Sequence, residues 1–364
     1  MKIGILCYGL NVGGVQRVAV NLSNALVELG EEVVFLYRVN GPLREVLSPR
    51  VTVIQYATGY PNYRSVKTWL TALSLFRILR RFRIDIVHSY DVVSWAIGSI
   101  ACRFAKVPHV RTQPNFIRTY ERLNAKTLRW SPFGKWTDAF HAIFNATALD
   151  LIRVGVPPYK IFIEPGVLKC NYAGSREIIR NELGVEENAQ VVITVGRLVP
   201  GKGFELIPKI ASLVAAKFSN VHFWIVGEGP LRAWLEEAVS NVGIKGLVHF
   251  LGERIDVDRL YEAADVGLFP TGSHAGMVEA IAHVPLVAGR GECQNEYIVA
   301  GNAGIVCENI QDYVDALVYL LNNDKVRERY KENAKMWFRS KYAVEAGASR
   351  FVEFYKRVMT QHKP

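Results

Sequence analysis

Residues 192–206 read VITVGRLVPGKGFEL, and their pattern decides the fold. Val192, Ile193 and Val195 form a short apolar run of the kind a buried parallel strand uses. The run stops at Gly196. Arg197 follows, then a loop holding Pro200, Gly201, Lys202 and Gly203. A helical rhythm begins after the loop, at Phe204, Leu206, Ile207, Ile210, Leu213 and Val214. A helix N-terminus presents free N–H groups and the positive end of its dipole. Arg197 and Lys202 add two cations there, which suits a dianion such as a pyrophosphate. On this stretch alone, two solvated cations on an ordinary strand-to-helix loop remain the alternative.

Outward from it, the same alternation runs in both directions. Downstream, strands are expected at Val221–Val226, Val248–Leu251, Val266–Phe269, Leu286–Ala288 and Ile305-Val306. Helices are expected at Asp258–Ala264, from Met277 through Ala282, and over most of the chain after Ile310. Upstream, strands are expected at Lys2–Tyr8, Glu31–Tyr37, Val51–Gln55, Ile84–His88, Val107–Thr112, Phe140–Phe144 and Ile161–Glu164. Gly13-Gly14 precedes a helix with Val15, Val18, Leu22 and Leu26 on one face. Pro165-Gly166 reads as the domain break. This alternation predicts an α/β chain of two doubly wound, Rossmann-like parallel sheets. The expected domains are 1–166 and 167–340, with 341–364 a helix packing back on the first domain.

The chain has 364 residues, half of them apolar, enough for two cores. No run of about 18 apolar residues suggests a membrane span, and MKIGILCYGL is broken by glycine too early for a signal peptide. Five cysteines (Cys7, Cys102, Cys170, Cys293, Cys307) form no CxxC pair, which fits reduced thiols and a cytoplasmic protein. The net charge of +10 is uneven. Residues 1–165 hold 21 Lys/Arg against 10 Asp/Glu, whereas residues 166–364 hold 23 against 24. The first half therefore expects an anionic partner. The basic residues are spread over several elements without a recognised binding motif, which argues against nucleic acid. One concentration stands out. The helix at Ser65–Phe82 carries Trp69, Leu70, Leu73, Phe76 and Leu79 with Arg77, Arg80 and Arg81, and Tyr60 and Tyr63 lie just before it. That pattern suits an anionic membrane surface, and equally a surface helix packed on the sheet. A peripheral place on the inner face of the plasma membrane is the corresponding expectation.

In open α/β sheets ligands gather at strand carboxyl ends. His88, Asp91 and Asn115 follow two such ends and are the candidate catalytic residues. A locally hydrogen-bonded histidine is the alternative for His88, as it is for His274.

Gly13-Gly14 with Arg17, the GRLxxxKG of Gly196–Gly203, the VGEGP of Val226–Pro230, the FLGER…LYEAADVGLFPT of Phe250–Thr271 and the EAIAHVPLVAG of Glu279–Gly289 together resemble a GT-B glycosyltransferase of family 4. The resemblance covers nearly the whole chain. It implies two Rossmann-like domains facing across a cleft, and transfer of a sugar from a nucleotide diphosphate with retention at the anomeric carbon. It implies no metal and no cofactor. Carried over, Gly13, Gly14, Arg197 and Lys202 would hold the donor diphosphate, and Arg254 and Ile255 would sit by the base. Glu279 would accept from the ribose hydroxyls. Thr271, His274 and the backbone of Ala275, Gly276, Met277 and Val278 would face the sugar.

Two positions depart from the family pattern. The family usually has Glu-x7-Glu, but eight residues before Glu279 stands Thr271, and aligning HAGM to a HEGM-like stretch puts Ala275 at the acid. Many members also carry a histidine after the strand matching Val107–Thr112, where this chain has Gln113, Pro114 and Asn115. The leading expectation is a retaining glycosyltransferase that uses a UDP- or GDP-sugar and a lipid-linked or glycan acceptor, in cell-envelope or exopolysaccharide synthesis. The alternative is a weak or inactive nucleotide-sugar-binding homologue serving as a scaffold.

Overall fold

The structure, a computed structural model, describes residues 1–58, 66–113, 132–167, 174–271, 274–291, 298–342 and 344–362. It divides into two compact units, Met1–Lys169 with Tyr342–Pro364, and Cys170–Lys341. The first contains β1 (Lys2–Leu6), α1 (Gly14–Glu28), β2 (Glu32–Tyr37), β3 (Thr52–Gln55), α2 (Val66–Phe82), β4 (Ile86–Ser89), α3 (Val92–Ala105), β5 (His109–Gln113), α4 (Pro132–Lys135), β6 (Ala139–Ala142), α5 (Asn145–Arg153) and β7 (Ile161–Ile163). The second contains α6 (Arg176–Glu182), β8 (Gln190–Val195), α7 (Ile207–Ala215), β9 (Val221–Val226), α8 (Arg232–Asn241), β10 (Val248–Gly252), α9 (Val257–Ala263), β11 (Val266–Phe269), α10 (His274–Ala280), β12 (Leu286–Gly289), β13 (Gly304–Cys307), α11 (Ile310–Asn322) and α12 (Asp324–Tyr342). The chain then returns to the first unit as α13 (Val344–Gln361).

Among the described residues the first sheet runs β3-β2-β1-β4-β5-β6-β7 and the second β10-β9-β8-β11-β12-β13, with every pairing parallel. Each order starts near its middle, winds one way, then reverses, which is the doubly wound α/β arrangement. The first sheet is covered on both faces. Ile3, Ile5 and Phe35 pack with Leu22 and Leu26 of α1 and Phe351 of α13. Leu6, Val34 and Leu36 pack with Leu75 and Leu79 of α2 and Ile97 of α3. Burial on both faces is why β1 and β2 read as nearly unbroken apolar runs.

Several strands begin or end one to two residues from the sequence expectation, because helix ends claim the flanking apolar residue. Ile84 N–H donates to the Leu79 carbonyl behind Arg83 at φ 52, and Val107 N–H donates to Cys102 behind Lys106 at φ 57. Both close a helix through a left-handed residue. Phe144 likewise leaves β6 to become the residue preceding α5.

A line of hydrogen bonds joins α13 to the sheet of its own unit. Tyr355 Oη lies 2.7 Å from His88 Nδ1, His88 Nε2 is 2.7 Å from Thr112 Oγ1, that oxygen is 3.0 Å from His141 Nδ1, and His141 Nε2 is 2.7 Å from the Glu164 carbonyl. A carbonyl only accepts, and burial keeps both imidazoles neutral, so the direction of every bond follows. His141 donates from Nε2, Thr112 donates to His141 Nδ1, His88 donates from Nε2 to Thr112, and Tyr355 donates to His88 Nδ1. Both imidazoles are neutral, each in its Nε2–H form. Beside this line, Arg350 of α13 makes a two-point ion pair with the buried Glu164 carboxylate at 2.6 and 2.7 Å.

Burial disfavours the charged form of all three core histidines. It pushes His141 down to about 4 and His109 down to about 3, and His88 well below its ordinary value, with the neighbouring His141 and His109 adding to the last. An unfolded histidine titrates near 6.5, so below that pH the unfolded chain binds protons that the folded chain refuses. Unfolding free energy is therefore expected to be steady above pH 6.5 and to fall as pH drops toward 4. Urea melts at half-unit pH steps test this, and a flat profile over that window would contradict the neutral line.

Candidate functional site

In the second sheet the winding reverses between the neighbours β8 and β11. Chains leaving the carboxyl ends of two such strands diverge to opposite faces and open a crevice. The GRLVPGKG loop leaves β8 there, and Pro270 and Thr271 leave β11. Bare backbone shapes the loop. Gly196 N–H donates to the Val226 carbonyl at 3.0 Å, and Leu198 N–H to the Glu228 carbonyl at 2.9 Å. Gly227 has φ +133, and a Cβ on it would collide with the Gly196 carbonyl. Gly229 has φ +159, and a Cβ there would collide with the Leu198 carbonyl. Gly203 has φ +77, and a Cβ on it would lie 2.9 Å from both the backbone nitrogen and Oγ1 of Thr271. Thr271 Oγ1 in turn donates to the Gly201 carbonyl at 3.3 Å. The loop from β8 is thus seated against the end of β11.

That seating brings Arg197 and Lys202 together. Arg197 is exposed and Lys202 half-buried. Burial first, and the Arg197 charge second, hold the Lys202 ammonium below its usual value. Among the described residues no carboxylate pairs with either cation. Two like charges, one partly desolvated and neither paired with a carboxylate among the described residues, make an anion electrostatically favourable beside them.

The remaining expected residues of this unit fall around the crevice and beyond it. Gly276 of α10 lies against β8, where a Cβ would come 2.8 Å from the Val195 carbonyl, and Tyr261 donates its hydroxyl to the Gly276 carbonyl at 2.8 Å. Met277 and Val278 are buried, so their side chains belong to the core and only their backbone is available to a ligand. Glu279 is buried on the same helix. His274 and Ala275 open α10, and their side chains lie outside the described residues. Arg254 follows β10, two strands from β8. It already holds Asp256 at 2.7 and 2.8 Å and reaches Glu182 at 3.3 Å, while Ile255 beside it is exposed. Its charge is compensated, unlike that of Arg197.

A cavity of about 720 Å³ opens on the carboxyl ends of β11, β12 and β13, with Thr271, Gly289, Arg290 and Tyr313 in its wall. Tyr313 donates to the Pro270 carbonyl at 2.6 Å and so fixes the strand end that carries Thr271. Sequence reasoning passed over Arg290 and Tyr313. A charged residue directly after the LVAG run was the available signal.

In the first unit the winding reverses between β1 and β4. Gly13 is the extended residue before α1, and Gly14 is the first residue of that helix. Asp91 caps α3. Its Oδ1 accepts from Ser94 N–H at 2.9 Å, and its Oδ2 from Tyr8 N–H and the Ser94 hydroxyl, both at 2.7 Å. His88 is wholly buried with both ring nitrogens engaged. Neither has the free lone pair that a general base needs. Asn115 lies outside the described residues, as do Tyr60 and Tyr63. The apolar residues expected as one stripe on α2 divide: Leu79 enters the core and Phe76 packs against it, while Trp69, Leu70 and Leu73 are exposed.

The loop seating yields a direct test. Gly203→Val forces a branched side chain into a left-handed position against Thr271, and is expected to lower stability by about 1–3 kcal/mol. Denaturant melts check it, and an unchanged midpoint would contradict the close approach.

Two family models match the chain: glycosyl transferases group 1 over residues 175–337, and glycosyltransferase family 4 over residues 12–167. The chain is 25% identical over 350 residues to the UDP-Gal:alpha-D-GlcNAc-diphosphoundecaprenol alpha-1,3-galactosyltransferase of Escherichia coli, covering 89% of this chain and 88% of that one. It is 24% identical over 375 residues to the lipopolysaccharide core biosynthesis glycosyltransferase LpsD of Rhizobium meliloti, covering 98% of each. Its fold matches the crystal structure of Anabaena HepE in complex with UDP-glucose, with a TM-score of 0.83 and 18% identity over 98% of this chain and 100% of that one.

Proposed function

The chain belongs to the group 1, family 4 glycosyltransferases of GT-B fold, and we propose that it moves a hexose from a UDP- or GDP-sugar to a lipid-linked or polysaccharide acceptor in cell-envelope or exopolysaccharide synthesis. The observation that carries the donor half is the uncompensated pair Arg197 and Lys202 at the β8–β11 crevice. Transfer breaks the bond from the anomeric carbon to the phosphate oxygen and forms one to the acceptor hydroxyl. Negative charge grows on the leaving oxygen, and two preplaced cations lower that barrier without a metal. The hydroxyl proton needs a base. His88 and Asp91 are engaged elsewhere and receive no part. With retention the acceptor enters on the face the diphosphate leaves, so the leaving oxygen takes the proton. Gly13, Gly14, Arg254, Ile255, Glu279 and the Thr271–Val278 stretch keep the donor contacts that family membership suggests.

The acceptor half is supported by the relatives' lipid-linked and lipopolysaccharide substrates and by α2. Trp69, Leu70, Leu73, Arg77, Arg80 and Arg81 are all exposed on that helix. Apolar residues beside a basic cluster suit the headgroup layer of an anionic bilayer. Among the described residues no helix is long and apolar enough to cross a membrane, so the reading is peripheral contact on the cytoplasmic face. A second reading, a nucleotide-sugar-binding scaffold, rests on Thr271 standing where the family usually has an acid.

Thermal melts with UDP, GDP, ADP and dTDP test the donor site. One diphosphate at about 100 times its Kd is expected to stabilise by about 2.7 kcal/mol, a shift of roughly 5–10 °C, and Arg197→Ala/Lys202→Ala is expected to abolish the shift. If no diphosphate moves the wild-type midpoint, the donor reading fails. Release of nucleoside diphosphate from a nucleotide sugar would separate the enzyme from the scaffold. For the acceptor face, Arg77→Glu/Arg80→Glu/Arg81→Glu is expected to weaken binding to phosphatidylglycerol vesicles at least about tenfold, at roughly 1 kcal/mol per cation. Equal sedimentation of both proteins would remove α2 from the reading.

A further inference from the structure

Arg111 sits in the middle of β5, opposite Ser89 at the end of β4 and Phe140 of β6. It is only 2% exposed, and its guanidinium carbon lies 4.0 Å above the Trp95 ring of α3. Its Nε and Nη1 are shut off from solvent and have no hydrogen-bond partner among the described residues. An aromatic face attracts the cation but accepts nothing from the N–H groups in the guanidinium plane. Unpaired buried donors on a charged group are costly, and native structures rarely keep them without a use.

The nearest charge does not answer the need. Asp91 acts on Arg111 electrostatically, but its oxygens are taken by Tyr8 N–H, Ser94 N–H and the Ser94 hydroxyl. Burial lowers the guanidinium to about 9, and the Asp91 charge only partly offsets this. Arg111 pairs with Ser89, the last residue of β4, and stacks on Trp95 in the first turn of α3, toward the side of the sheet where open α/β folds take ligands. Residues 1–165 carry the chain's whole cationic excess.

We propose that Arg111 is the anchor of a second oxyanion site, in the first unit, which holds a phosphate-class group through the N–H groups that the fold leaves unpaired. The assignment of that phosphate to a lipid-linked acceptor rests on the glycosyltransferase reading; the anion site does not.

The test uses the full chain carrying Arg197→Ala/Lys202→Ala, so that the proposed donor site contributes nothing. Calorimetric titration with inorganic pyrophosphate and with farnesyl diphosphate is expected to show binding that Arg111→Met weakens at least tenfold, with Arg111→Lys intermediate. Arg111-dependent binding of farnesyl diphosphate supports a lipid-linked source, and binding of pyrophosphate alone supports a free phosphate. No binding of either anion, or binding that Arg111→Met leaves unchanged, overturns the site. If Arg111→Met does not fold, the arginine Nε–H resonances of the Arg197→Ala/Lys202→Ala protein decide. Saturating pyrophosphate is expected to shift one slowly exchanging signal, assigned with Arg111→Lys, and a spectrum that does not move overturns the proposal. The nucleotide melts of the wild type report on the donor reading separately.

Discussion

The carbonyls of Gly196 and Leu198 occupy the space that a Cβ on Gly227 or Gly229 would need. Two strand ends therefore run backbone to backbone, and Gly196 and Leu198 donate across to β9 and the turn after it. With both neighbours of Arg197 fixed by main-chain bonds, its position no longer depends on side-chain packing. The loop beyond it is pressed on Thr271 through Gly203. The cationic pair, the seat of the β11 end and the wall of the adjoining cavity all follow from this contact. Main-chain geometry is a stiffer support for a charge than a flexible surface loop.

Charge is handled in opposite ways at the two edges of the second sheet. At the amino edge Asp265 takes Arg176 and Arg180 at 2.7 and 2.8 Å and also accepts from Val191 N–H. Arg180 further donates to the carbonyls of Ala263, Glu186, Glu187 and Ala189. Every buried charge there is answered within the protein, as a structural cluster requires. At the carboxyl edge Lys202 is partly desolvated beside a like charge, with no such answer among the described residues. The contrast within one unit separates cations that hold the fold from cations that no carboxylate answers among the described residues.

Strands such as β1, β2, β8 and β9 could be read from the sequence because parallel strands covered on both faces are mostly apolar. The GKG loop could be read as a strand-to-helix turn because Gly196, Pro200, Gly201 and Gly203 break the apolar run of β8 before the helical rhythm resumes. The ends were less readable. Ile84, Val107 and Phe144 look like strand residues but are claimed by helix termini, a choice made by main-chain bonds that side-chain type does not reveal. The state of His88 was out of reach, since its partners Thr112 and Tyr355 come from 24 and 267 residues away. Arg111 gave a faint signal, one charge in a buried strand that is itself largely polar, and its meaning depends on its stacking against Trp95. Arg254 was easier than it looked: Asp256, two residues on, already announces a paired cation.

The first unit is not contiguous in sequence. Its sheet is built from residues that precede the whole second unit, while α13, which supplies Phe351, Tyr355 and Arg350, comes after it. During synthesis the ribosome must therefore make all of Cys170–Lys341 before the face formed by Ile3, Ile5 and Phe35 can be closed. The second unit, a single uninterrupted segment, has its last strand in hand well before then. The usual amino-to-carboxyl order of domain completion is thus reversed, and the nascent chain carries an apolar sheet face covered only in part, by α1, until α13 is made, a period in which binding by a chaperone would count most.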